Sequence, residues 1–363
     1  MNHSSDIISN NEAAFVLHAL EAGTRLDGRR RRETRQAQIM LGTVSGCAEV
    51  HLGESKVCAT ATAEIIEPFL DRGSEGLLNF FVDFSPMAAP GFEAGRPNEA
   101  ANEMMRLLER AFRKSQAIDI EALCVVAGKK VWSVRCDVVV LDHRGNITDA
   151  AILASLAALR HLDLPSVSVH GIGEDATVQV LSREQAEPQP LIFHHLPLSV
   201  SFGLFQSAEG MLHRAVDPTD REELVMLGVL SIIINQYDEV CGVHKPGGLP
   251  IEATDVLECA REAVEIARGL LGTLQAAIDD AEKARKDEAE HLRRTGRLPK
   301  NNPASEAAPF SVAATLITAT PGEKPLEPSG PASALEAAGA GRVSEDSEAP
   351  EIDIYLDKKR KVY

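Results

Sequence analysis

Residues Lys130–His161 read KVWSVRCDVVVLDHRGNITDAAILASLAALRH, and this stretch decides the fold. Lys130–Leu141 alternates well enough to predict a long, half-buried strand. His143-Arg144-Gly145-Asn146 has turn chemistry. Thr148–His161 then predicts a helix entered directly from that turn. On the N-terminal side, Gln36–Leu41, Gly46–Leu52 and Lys56–Ile65 read as strands, the last two joined by a turn at Gly53-Glu54-Ser55-Lys56. Leu77–Phe84 is a further strand. Asn98–Ser115 has helical spacing, with Met104, Leu107, Leu108 and Ala111 on its apolar side. A short helix, capped by Asn10 or Asn11 and ended by Gly23, precedes all of these.

The C-terminal side repeats the style. Strands are expected at Val167–His170, Thr177–Leu181, Leu198–Phe205 and Met211–Val216. After Asp217-Pro218-Thr219 come the segments Leu224–Asn235 and Glu239–His244, broken by Pro246-Gly247-Gly248. Pro250 and Thr254 then open a long helix reaching about Arg293, with apolar positions thinning after Ile278. Strand clusters followed by helices, twice over, predict an α+β architecture. The segment DDAEKARKDEAEHLRR has i,i+4 charge pairs and reads as a solvated helix.

Composition bounds the rest. The 363 residues carry 37 Lys+Arg against 54 Asp+Glu, a formal charge of −17, with 44% hydrophobic and 25% charged residues. That is ordinary globular composition. An acidic total argues against wholesale coating of nucleic acid, and leaves a local basic channel open. No run of 18 uncharged apolar residues exists to cross a membrane. The opening MNHSSDIISNNEAAF lacks the basic segment and apolar run of a secretory signal, which predicts an intracellular protein. Six scattered cysteines without a C-x-x-C predict reduced thiols, not a disulfide scaffold or a zinc site. From Leu298 to Pro350 the chain turns to Ala, Pro, Ser, Gly and Glu, a composition expected to stay disordered. Residues 301–363 hold 6 basic and 10 acidic side chains, so most of the excess negative charge lies on residues 1–300.

Standard catalytic motifs are absent from the sequence: no G-x-G-x-x-G, P-loop, H-E-x-x-H or G-x-S-x-G occurs. His194-His195 lacks a third ligand at useful spacing and reads as structural. Asp217, Asp220, Glu222 and Glu223 in VDPTDREE are a tighter group, suited either to Mg²⁺ or to the start of a capped helix. Arg106, Arg110 and Arg113 fall at i, i+4 and i+7 of the expected helix and so share a face. Guanidiniums so spaced suit successive phosphates of a nucleic acid backbone, against the plainer reading of a solvated face paired with Glu103 and Glu109. Arg96, in the Gly-flanked loop just before, extends the same surface. Arg29-Arg30-Arg31-Arg32 is denser, and reads equally as an RNA contact or an exposed linker.

These residues together resemble the RNase PH family. Arg25-Leu26-Asp27-Gly28-Arg29 is similar to that family's R-x-D-G-R opening. Ser85-Pro86-Met87-Ala88-Ala89-Pro90, the Arg106–Arg113 helix and Val131-Trp132-Ser133-Val134-Arg135-Cys136-Asp137 follow in the family's order. LCVVAGKKVW, DHRGNITDAA and VDPTDREE resemble its catalytically silent members, ring subunits of the RNA exosome. The resemblance covers about residues 10–280. It implies the RNase PH fold, two β-α-β-type halves packed as one domain. It also implies a hetero-hexameric ring of RNase PH-like subunits, with cap subunits, through which single-stranded RNA threads to an associated nuclease.

The resemblance assigns residues as well. Phosphorolytic members bind the attacking phosphate at a Gly-(Thr/Ser)-Arg turn; here the stretch is Gly145-Asn146-Ile147. An isoleucine has neither the cation nor the forked donors that hold a phosphate nucleophile. Of two metal-binding aspartates, Asp217 matches the first, and Glu223 stands at the second. The expectation is a chain with no catalytic residues, metal or cofactor, working in nucleus, nucleolus and cytoplasm. Arg106 and Arg110 match the paired channel arginines of related inert subunits, with Arg96 and Arg113 beside them. The alternatives are a phosphate- and Mg-dependent 3′ exoribonuclease using Asp217 and Glu223, and a free-standing RNA-binding adaptor acting through its tail.

The expected organisation is an N-terminal helix and basic segment (1–30), a first half (31–165), a second half (166–280), a charged helical extension (281–297) and an acidic tail (298–363). In the tail, Ile352-Asp353-Ile354-Tyr355-Leu356 alternates beside acidic residues, as a strand that adds to a partner's sheet edge would. Ser344 and Ser347 are phosphorylation candidates there. Lys358-Lys359-Arg360-Lys361 suits a nuclear import signal.

Overall fold

The structure, a computed structural model of the chain, describes residues 8–92, 99–170, 177–182, 185–207 and 209–295. Arg96 and the whole tail, with its strand-like, phosphorylation and import readings, lie outside the described residues.

Helix α1 (Asn10–Glu21) is capped by Ser9, not by Asn10 or Asn11. Ser9-Asn10-Asn11-Glu12 has capping-box spacing, and both reciprocal bonds of the box form. Strands β1 (Ala37–Leu41), β2 (Cys47–Leu52) and β3 (Ser55–Ile66) form an antiparallel meander. Strand β4 (Leu77–Phe84) leads to α2 (Glu99–Leu108), and β5 (Cys124–Val126) folds back on β6 (Lys130–Asp142). The sheet order is β1-β2-β3-β6-β4. Strand β6 runs antiparallel to β3 and parallel to β4, so β4-α2-β6 is a crossover unit.

Helix α3 (Ile147–His161) leaves β6 through the turn at 143–146. Thirteen of its fifteen residues are buried, among them Ala150, Ala151, Ala154, Ala157 and Ala158. A helix apolar on all sides needs cover on all sides. It packs on β2, β3 and β6 and also on β11 (Leu198–Gln206) of a second sheet. Between them in the chain lie β7 (Asp163–Leu164), which pairs with β10 (Gln189–Pro190), and the hairpin of β8 (Val167–His170) and β9 (Thr177–Val180).

The second sheet adds β12 (Leu212–Val216), β13 (Gly228–Ile234) and β14 (Val240–His244), in the order β12-β11-β13-β14. Strands β12 and β13 flank β11 antiparallel to it and are joined by the short helix α4 (Asp220–Val225), so this half also holds a β-α-β connection. Helix α5 (Ala253–Thr295) packs on β1, β11, β13 and α3. Its buried positions are Cys259, Ala263, Ala267, Leu274 and Ile278. Beyond Ile278 the charged stretch continues as helix, with Lys286 3.6 Å from Glu282. One continuous core joins both sheets through α3 and α5, while a smaller cluster packs α1 (Val16, Leu20) on Phe205 and Ala215.

One expected helix is not uniform. The α-helical turns end at Leu108, and Glu109–Lys114 continue as a π-turn. Leu107, Leu108, Ala111 and Phe112 stay buried through the change, and the Phe112 ring stacks on Phe80 at 5.3 Å.

Candidate functional site

The turn from β6 into α3 needs two residues in left-handed conformation, Gly145 (φ 85°) and Asn146 (φ 50°). Glycine is required at the first. A Cβ there would lie 2.5 Å from the Asp220 nitrogen and 2.5 Å from the Thr219 carbonyl carbon. The backbone of 218–220 therefore rests directly on the turn. Both features put residues from the two halves within hydrogen-bond reach.

Asp217, itself at φ 53°, is almost wholly buried. Its Oδ1 accepts from Arg35 Nη2 (2.7 Å) and Asn146 Nδ2 (2.7 Å). Its Oδ2 accepts from the Arg35 amide (2.8 Å), Arg35 Nε (2.9 Å) and Arg29 Nη1 (2.9 Å). A carboxylate offers about four lone-pair sites, and these donors use them all. Burial pushes its pKa up, but the bonds and charge of Arg35 outweigh this and hold the carboxyl below its usual range.

Asn146 spans the gap to α3, since its Nδ2 also donates to Asp149 Oδ2 at 2.8 Å. Bridging two carboxylates leaves its own Oδ1 buried without a hydrogen-bond partner. Asp149 further accepts from Ser199 Oγ (2.6 Å), Ser201 N (2.8 Å) and Ser201 Oγ (2.8 Å). Burial still dominates these donors and raises its pKa to about 6. Glu223 Oε1 accepts from the Asn146 amide at 2.6 Å, so one donor of the α3 N-terminus is already used. Burial raises the Glu223 pKa to about 7 against that bond, although a quarter of the side chain is exposed.

Ile147 begins α3 and is 6% exposed, packed into the main core. A divalent cation between Asp217 and Glu223 does not fit this arrangement, because Arg29, Arg35 and Asn146 hold the Asp217 oxygens that such an ion needs. Glu222, third of the acidic group, is bound to the buried Arg25 and closes the capping box of α4 with Thr219.

The arginines of α2 and of the π-turn that continues it lie elsewhere. Arg106, Arg110 and Arg113 are all exposed, and none forms an ion pair among the described residues. Arg110 Nη1 approaches the Val243 carbonyl of β14 at 3.4 Å. Arg113 instead borders a cleft with Phe69, Asp71, Arg72 and Glu75 of the loop before β4 and Leu77 at the start of that strand. The single face expected for all three is thus corrected for Arg113. A π-turn closes its bonds over five residues, so a position three further on swings away from the stripe an α-helix would keep.

The 29–32 cluster is divided. Arg29 bonds Asp27 and Asp217, Arg31 donates to the Glu21 carbonyl, and Arg32 pairs with Glu262 at 3.0 Å. His195 Nε2 donates to the Ser115 carbonyl at 2.9 Å, a structural role as expected. Two participants were not read from the sequence. Arg35 stands three residues beyond the basic run, its partner is 182 residues away, and no local pattern marks it out. His244 of β14, 3.2 Å from Glu103 of α2, has no sequence signal either.

Residues 32–165 match domain 1 of the 3′ exoribonuclease (RNase PH) family, and residues 195–266 match its domain 2. The chain belongs to the RNase PH family. Among RNase PH proteins it is similar to the exosome complex component RRP45 of Bos taurus, with 42% identity over 280 residues, 77% of this chain and 62% of the bovine protein. The chain thus spans less than two thirds of that relative's length. The Schizosaccharomyces pombe exosome complex component rrp45 is 38% identical over 282 residues, 78% of this chain and 94% of that protein. The RNase PH fold is shared with a chain of the Archaeoglobus fulgidus exosome with RNA bound to the active site, at TM-score 0.63 and 28% identity. That alignment covers 74% of this chain and 99% of the archaeal one.

Proposed function

We propose that this chain is a non-catalytic subunit of the RNA exosome core, of the RRP45 (component nine) kind. In this reading it completes a hetero-hexameric ring of RNase PH-like subunits under cap subunits. It guides single-stranded RNA to an associated nuclease during 3′-to-5′ processing and decay in nucleus, nucleolus and cytoplasm. The observation that carries the inert half is the saturation of Asp217 by Arg29, Arg35 and Asn146. Ile147 adds to it. Gly145-Asn146-Ile147 is a degenerate phosphate site, with a buried alkyl group where phosphorolytic members need a guanidinium. The Asn146 amide is occupied by Glu223 in addition.

RNA contact is proposed for Arg106 and Arg110, exposed and without acidic partners among the described residues, with Arg96 and Arg113 as flanking contributors. Phosphate contacts of this kind position a strand without reading its bases. The test joins two assays on the full chain, alone and with RNase PH-like ring partners. Phosphate and Mg²⁺ should release no nucleoside diphosphate from labelled RNA. Arg106→Glu with Arg110→Glu should weaken RNA protection without disturbing assembly. The log–log salt slope should become shallower by about 1.4, since each single-strand phosphate contact contributes about 0.7. Phosphate-dependent release abolished by Asp217→Asn would make the chain an exoribonuclease instead. A stable monomer that binds RNA only through its tail would make it an adaptor.

A further inference from the structure

Glu103 stands three residues before Arg106 on α2. On an isolated helix, opposite charges at i,i+3 pair on the surface. Glu103 would then meet the guanidinium that the proposed function assigns to phosphate. It does not do so. Its Oε1 lies 3.2 Å from Nε2 of His244, the last residue of β14, with the two side chains 34% and 20% exposed. The same strand receives Arg110: the Val243 carbonyl accepts from its Nη1 at 3.4 Å. At Gly242 a Cβ would stand 3.7 Å from Arg110 Cδ, so the arginine stem runs over that strand in ordinary contact. Gly242, Val243 and His244 therefore form a rail along α2. One part of it braces a cation, and the other draws the neighbouring anion aside.

We infer that His244 is a positioning residue for RNA binding, keeping Glu103 on β14 and so leaving Arg106 unpaired for a phosphate. The inference rests on the proposed RNA contact of Arg106 and Arg110. It is specific to one acid, because Glu99 and Glu109, the other carboxylates of this helical segment, are the same in every variant below.

The experiment measures binding of a labelled oligoadenylate to the full chain across a salt series. His244→Ala frees Glu103 to pair with Arg106. Affinity at 0.1 M salt should fall about three- to fivefold, and the salt slope should become shallower by up to about 0.7, the loss of one single-strand phosphate contact. His244→Gln, which keeps a donor, should retain most of the affinity. Glu103→Gln should leave binding unchanged or slightly tighter, and His244→Ala/Glu103→Gln should return to its level. A purely structural role for His244 predicts a loss that persists in that double variant, and this result would overturn the inference. So would unchanged binding in His244→Ala while Arg106→Glu/Arg110→Glu weakens it. No effect of the arginine pair, or no measurable binding by the wild-type chain, would instead remove the RNA-contact reading and this inference with it.

Discussion

Arg25→Ala should be among the most destabilising single substitutions in the chain. The Arg25 side chain is 0% exposed and that of its partner Glu222 is 1% exposed. Arg25 Nε donates to Glu222 Oε1 at 2.8 Å, and Nη2 makes a second bond to Oε2. The remaining donors go to the carbonyls of Val216 and Asp217, both at 2.7 Å, and to that of Glu33 at 3.4 Å. Removing the guanidinium strands a buried carboxylate, at a cost of about 3–5 kcal/mol. Typical native stability is only about 5–15 kcal/mol. For a domain of this size the loss corresponds to a fall in Tm of roughly 6–20 °C. Urea or thermal unfolding of the full chain, followed by circular dichroism, would measure it. Arg25→Met with Glu222→Leu removes the stranded charge as well, so it should recover much of the stability. The recovery should be partial, because the Val216 carbonyl still loses its Arg25 donor, while the Asp217 carbonyl keeps only the longer bond from Arg29 at 3.3 Å. A loss below about 1 kcal/mol for Arg25→Ala, or a double variant no more stable than the single, would refute this account of the pair.

Two further outcomes concern the turn at Gly145-Asn146-Ile147 and the carboxylates around it. Ile147→Arg should not create phosphorolysis, because Asp217 stays locked to Arg35 and a buried cation replaces a core alkyl group; nucleoside diphosphate release by that variant would contradict the locking argument. Glu223 has a folded pKa raised to about 7 from 4.5. The folded state therefore binds more protons than the unfolded state across that interval. Its contribution to stability is fully present below pH 4.5 and is lost as pH rises through about 7. Glu223→Gln should flatten that part of the decline, read as urea midpoints at pH 4.5 and 7.5, and an unchanged decline would reject the assignment.

Much of the fold was legible because its strands are half-buried. Leu77–Phe84 is a short apolar-rich run ended by Ser85 and Pro90, and β4 has the same limits. Strands as short as β7 and β10 carry too few side chains to show a period. The π-turn was not legible, since Met104, Leu107, Leu108 and Ala111 also suit an unbroken α-helix. At the site, Ile147 and Asp217 could be found by motif, but not what occupies Asp217. Its donors come from residues 29, 35 and 146, which only the packing of the two halves brings together. Likewise the sequence offered Glu103 to the arginines, and the tertiary fold gave it to His244.

The bonds on Asp217 separate two questions that a bare alignment merges. An aspartate at this position could be read from the motif alone as a sign of retained activity. Here the same side chain fastens the segment before α4 to the start of β1 and to the N-terminus of α3. Losing it would cost folding, whatever the chain's chemistry. The architecture alone thus calls for this aspartate, and activity is better judged from whether its oxygens remain available.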